Sequence, residues 1–146
     1  MVASPTTIQV RNAQRKFPVN VAALEAFAKR ALPLCLRAGH GKRTLAAEAG
    51  EIFVVLISDR RMAQLHQRFL GQTGPTDVIT FEHGEIFISV ETARRNARRF
   101  GNSFRRELEL YIVHGLLHLC GFDDSNRRAA RKMRVAEGRV ICAVTV

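Results

Sequence analysis

The chain has 146 residues, 47% of them hydrophobic and 25% charged, a composition that fits one ordinary globular domain and excludes a disordered or fibrous protein. Its 23 basic residues outnumber 13 acidic ones for a net charge of +10, which points to a polyanionic partner. The longest apolar run, residues 52–57, is far too short to span a bilayer, so no membrane role is expected.

The opening Met-Val-Ala-Ser-Pro-Thr-Thr has neither a charged n-region nor an apolar h-region, and a cytoplasmic place is expected. Ile8-Gln-Val10 alternates as a short first strand. Over residues 19–36, Val21, Leu24, Phe27, Ala28 and Ala31 recur at helical period and define an amphipathic helix that Pro33 kinks or ends. Residues 38–43 read as a loop in which His40 is solvated. Residues 52–57 form an uninterrupted branched run, the pattern of a central strand covered on both faces. Ser58-Asp59 then caps a helix reaching about residue 69.

A turn cluster at residues 71–75 precedes two short strands, 77–81 and 85–90, expected to pair as an antiparallel hairpin. A helix over 91–100 is stopped by Gly101, and Asn102-Ser103 caps the next one. The last helix is expected to begin at Asp124-Ser125 and run to about residue 137, with Gly138 behind it. The order of elements predicts an α+β fold in one metal-binding domain, 1–146. It has about four strands in a mixed sheet, with helices packed around a buried central histidine helix. Cys35, Cys120 and Cys142 are odd in number and widely spaced, so they suit neither a disulfide framework nor a zinc knuckle. Cys120, two residues from His118 and on another helical face, reads as a small buried apolar residue.

The histidine helix is the centre of the reading. Between residues 108 and 122 the only charged side chain is Glu109, and apolar residues cover nearly every side. His114 and His118, four residues apart, lie one above the other on a single face and can point nitrogens at one metal ion. Gly121 stops the helix, and the chain can return Asp123 or Asp124 to the same place in the pattern H-x-x-x-H-x-x-G-x-x-D. The competing reading is a pair of hydrogen-bonded core histidines. Two imidazoles and a carboxylate suit one zinc ion with an open position for a water, which the ion would acidify. Asp124 has a second possible role as N-cap of the last helix, and both roles stand at this level. Gly115 occupies the place of the glutamate in H-E-x-x-H, so the general base of a zinc peptidase is missing from its usual position.

At these residues the chain resembles the YbeY-type rRNA maturation endoribonucleases, whose motif is H-G-x-L-H-L-x-G-[YF]-D-H. His114, Gly115, Leu117, His118, Leu119, Gly121, Phe122 and Asp123 match in register, and Asp124 stands where the family has its third histidine. Pro75-Thr76-Asp77-Val78-Ile79-Thr80-Phe81 resembles the family's P-T-D-V-L-S-F, and Gly84-Glu85-Ile86-Phe87-Ile88-Ser89 its G-D-I-x-I-[SC] strand. The loop between these segments is cut to Glu82-His83. The family's arginine, six residues before the threonine, is Leu70 here; Arg68 is nearby and out of register. The resemblance implies a zinc site at His114, His118 and Asp124. It also makes Asp123 a residue that orients a ligand, with Arg68 as the candidate catalytic arginine.

Of the 23 basic residues, 19 are arginine, whose planar fork suits phosphate. Arg94, Arg95, Arg98 and Arg99 share one predicted helix, Arg105 and Arg106 follow, and Arg127, Arg128 and Arg131 lie in the last helix. No acid occurs between Glu91 and Glu107 or between Asp124 and Glu137, so the usual i,i+4 partners are missing and an RNA backbone is the expected counter-charge. The readings are, in order, a metal-dependent endoribonuclease acting on rRNA or ribosomal particles, an RNA-binding relative with weakened or lost cleavage, and a zinc hydrolase of another substrate.

Overall fold

The structure, a computed structural model, describes residues 5–39, 44–71 and 76–145. The expectations for His40, for Pro75 and for most of the 71–75 turn cluster lie outside these residues. The elements run β1 (Thr7–Asn12), α1 (Val21–Ala38), α2 (Leu45–Glu48), β2 (Glu51–Ile57), α3 (Asp59–Leu70), β3 (Val78–Phe81), β4 (Glu85–Ser89), α4 (Val90–Phe100), α5 (Phe104–Leu119) and α6 (Arg127–Thr145). The architecture is the expected α+β one, with a four-stranded sheet in the order β1-β2-β4-β3. β1, β2 and β4 are parallel, and β3 pairs antiparallel with β4 through the hairpin at residues 82–84.

Alternation along the strands sorts the two faces of the sheet. Ile52, Val54, Leu56, Ile86 and Ile88 are fully buried in the main core with α1, α5 and the inner stripe of α6. The opposite face carries a smaller cluster in which Ile57 and Ile79 meet Met62 of α3, with Val55, Phe81 and Phe87 around them. The central strand is therefore covered on both faces, as its unbroken apolar run predicts. α5 crosses the main face so closely that a Cβ at Gly115 would lie 2.7 Å from Cγ2 of Ile86. Glycine at that position is what lets the histidine helix seat on the sheet.

Two helices outrun their predicted ends. Pro33 lies inside α1, which continues to Ala38 because Leu24, Phe27, Ala28, Ala31, Leu32 and Cys35 bury one continuous face. α6 starts later than expected, at Arg127, and passes through Gly138 to Thr145. A mid-helix glycine costs only about 1 kcal/mol relative to alanine, and burial of Met133, Ala136, Val140 and Val144 along the whole helix outweighs it. The cap of α6 is Asn126, whose Oδ1 accepts from the Ala129 amide at 2.8 Å. α2 is a single turn at residues 45–48, a stretch for which the sequence predicts no element.

Candidate metal centre

α5 supplies the histidines and the turn after it supplies the carboxylate. The helix closes at Cys120, and Gly121, with φ of 98°, takes a left-handed conformation open to glycine, which redirects the chain toward the helix end. Nε2 of His114 and Nε2 of His118 lie 3.1 Å apart. Asp124 faces both, with Oδ2 3.7 Å from His114 Nε2 and Oδ1 4.0 Å from His118 Nε2. One donor atom from each residue falls within 4.8 Å of the others. Tetrahedral donors about 2.0–2.2 Å from an ion are about 3.3–3.6 Å from each other, so this set reaches a zinc-like ion once the exposed Asp124 carboxylate, a different oxygen of which is nearest each ring, moves in by up to about an ångström. Two neutral nitrogens and one carboxylate oxygen are also chemically suited to it.

The outer nitrogens of the rings are tied down. Nδ1 of His114 donates to Oε1 of Glu137, on α6, at 2.6 Å, and the His118 ring hydrogen-bonds to the Phe122 backbone. Both rings thus keep Nε2 directed to the shared point, the arrangement that metal-binding histidines commonly require. Burial disfavours the charged form of His114, but the hydrogen bond and charge of Glu137 outweigh it and raise its pKa. His118 is lowered, first by burial and then by the neighbouring His114. Glu137 was not singled out from the sequence; its signal was its position as the only acid in the otherwise basic α6.

His114 and His118 line a cleft of about 430 Å³ between α5 and the edge strand β3, walled by Leu45, Leu70, Thr80, Phe122 and Asp123 among others. Asp123 lies on that wall, and its Oδ1 accepts from the Ser125 amide and hydroxyl at 3.2 and 2.8 Å. Those bonds, with the nearby His118, hold its exposed carboxyl below the ordinary range. Arg68 does not join the cleft. α3 continues through it, so two residues of helix turn it about 200° from Leu70. Its guanidinium lies 5.4 Å from the Phe69 ring instead. Cys120 is buried, its thiol is pushed up to about 11, and it stands apart from the donor set.

The predicted nucleic-acid arginines divide into two groups. Arg94 packs over the rings of Phe17 and Phe104 at 4.9 and 5.8 Å. Arg95 pairs with Asp59 at 2.8 Å. Arg105 and Arg106 flank Glu109 at 3.4 and 3.6 Å, at a site where the carboxylate side chain is only 8% exposed. These four are engaged within the protein. Arg98, Arg99, Arg127, Arg128 and Arg131 are exposed and have no acidic partner among the described residues. Arg99 lies over Phe100, and Arg128 lines a small polar pocket with Asp123 and Lys132 next to the metal cleft.

The family model described as endoribonuclease YbeY matches residues 9–144. The endoribonuclease YbeY of Phocaeicola vulgatus is 34% identical over 114 residues, covering 73% of this chain and 79% of that protein. That of Thermotoga maritima is 40% identical over 84 residues, 52% of this chain and 56% of the relative. A solution structure of a Thermotoga maritima protein superposes with a TM-score of 0.61 at 27% identity, covering 94% of this chain and 91% of the other. With a histidine helix, a sheet and a closing turn arranged as the motif requires, and a family match over nearly its whole length, the chain belongs to the endoribonuclease YbeY family.

Proposed function

We propose that the chain is a metal-dependent endoribonuclease, one cytoplasmic metal-binding domain that hydrolyses RNA phosphodiesters in the maturation of rRNA or ribosomal particles. The observation that carries this reading is the meeting of His114, His118 and Asp124 where the two histidines line an open cleft, in a family whose curated relatives bear the name endoribonuclease. A divalent ion held there supplies Lewis acidity, acidifying water and polarising a phosphoryl oxygen. Glu137 and the Phe122 backbone fix the two rings. Asp123 presents an ionised carboxylate beside His118, and Arg127 and Arg128 at the start of α6 receive the flanking phosphates. Arg98, Arg99 and Arg131 extend the cationic surface.

Leu70 favours a second reading. An apolar side chain lines the cleft wall at the position of the family's arginine, and Arg68 is turned away from it. A chain that keeps the metal and binds RNA while cleaving weakly suits that wall. Zinc-loaded protein incubated with a structured rRNA fragment separates the two. Cleavage that disappears in a folded His114→Ala/His118→Ala variant supports the enzyme. Retained metal and RNA binding without cleavage selects the second reading, and hydrolysis of a peptide would replace both.

A further inference from the structure

A trough of about 660 Å³ lies between the C-terminal half of α1 and the outer side of α6, on the other side of Phe122 from the metal cleft. Its floor is aliphatic: Leu34 and Ala38 come from α1, and Val135, Ala136, Val140 and Ala143 from α6. The α6 positions recur at helical period, and between Arg131 and Ala143 they cover about 18 Å of helix axis. Val135 is 50% exposed on this floor. Small alanines along it allow the backbone of another helix to approach closely. The rim is cationic, carrying Arg131, Lys132 and Arg139. The single acid of α6, Glu137, is turned away from it to His114.

We propose that this trough docks an acidic amphipathic helix of a protein partner, three to four turns long, with aliphatic side chains on the floor and carboxylates on the rim. Charge and shape choose this occupant. RNA gains little from an aliphatic floor, because bases stack on aromatic rings and arginine planes, and Phe122 at one end is the only ring among the described residues of the lining. A second copy of the chain docking by the same face would set Arg131, Lys132 and Arg139 against themselves. A helix laid in the groove between two others instead buries apolar surface along its whole length and neutralises the rim.

The test uses the full-length protein in about 0.15 M salt, where surface charge is substantially screened. The probe is a fluorescein-labelled eighteen-residue peptide of leucine and glutamate, with leucines at i, i+3, i+4 and i+7, set against a scrambled peptide of the same composition. The ordered peptide should bind at least tenfold more tightly by anisotropy. Val135→Asp and Ala143→Asp, both at exposed positions, should remove that preference, while Gln64→Asp on α3, with the same charge change, should leave it intact. Equal binding of the two peptides, or an unchanged preference in Val135→Asp, would overturn the proposal. So would a single-stranded RNA twelve-mer that displaces the peptide and itself loses affinity in Val135→Asp. A dimer that Val135→Asp dissolves in sedimentation would give the trough to a second copy and overturn it equally.

Discussion

Glu137, on α6, accepts a hydrogen bond from Nδ1 of His114, on α5, at 2.6 Å, across twenty-three residues of sequence. The bond fixes which nitrogen of His114 is left to face His118 and Asp124. Glu137→Ala should therefore weaken zinc binding by about 10–100-fold, as loss of such supporting carboxylates commonly does. Glu137→Gln keeps an acceptor without the charge and should fall between the two. Competition titration against a chromophoric chelator reads both, and unchanged affinity in the alanine variant would remove Glu137 from the site.

Replacing His114 and His118 together with alanine should abolish stoichiometric metal in elemental analysis while the fold survives, since both side chains are only part-buried. Unchanged metal content in the folded double variant would eliminate the site.

Asp124 can be tested free of helix capping, because Asn126 caps α6. Asp124→Ala and Asp124→Asn should both lower zinc affinity and leave thermal stability of the metal-free protein close to wild type. Asp124→His should restore tight binding with a third nitrogen and lower the pH at which any RNA cleavage begins, because an imidazole adds no negative charge to the centre. Wild-type affinity in the Ala and Asn variants would leave the two histidines as the only protein ligands.

The metal-free protein should show two opposed pH dependences around the ordinary histidine value of 6.5. His114 has a raised folded-state pKa, so its pairing with Glu137 stabilises fully below 6.5 and the contribution is lost as pH rises through the folded value. His118 is lowered; its contribution is present above 6.5 and is lost as pH falls through its folded value. Melting temperature followed from pH 5 to 9 in chelator should fall more shallowly on the alkaline side in Glu137→Gln than in wild type. Parallel curves would contradict the assignment.

Arginine substitutions should separate RNA contacts from structural ones. Arg127→Ala with Arg128→Ala should reduce the slope of log affinity against log salt by about 1.4, at about 0.7 per single-stranded phosphate contact, with little change in stability. Arg105→Ala with Arg106→Ala should instead destabilise the fold by about 2 kcal/mol, because Glu109 would be left buried without its counter-charges. Denaturant melts and filter binding on the two double variants make the distinction.

The sheet and the histidine helix were legible because their signals are local: branched runs, a four-residue spacing, a glycine stop. The fates of the arginines were not, because the partners of Arg94 and Arg95 are Phe17 and Asp59, on elements remote in sequence. Counting acids at i,i+4 cannot see them. Glu109 was within reach of that count, since it lies three and four residues after the arginines it pairs with. The contrast between Arg68 and Leu70 followed from helical rotation alone once α3 was known to continue. Asn126 displaced Asp124 and Ser125 as the cap, and the whole run 124–126 offers capping side chains, so propensity could not choose among them.

Gly115 separates this site from peptide-hydrolysing zinc helices by steric exclusion as well as by ancestry. The position between the two histidines where such enzymes carry their glutamate is pressed against Ile86, and even one methyl group there would meet Cγ2 at 2.7 Å. A side chain long enough to act as a base would have to displace the buried Ile86 side chain or lift α5, with both histidines, off β4. Point mutation can therefore tune the metal or the cleft wall, but a general base at residue 115 requires the core around Ile86 to be rebuilt as well.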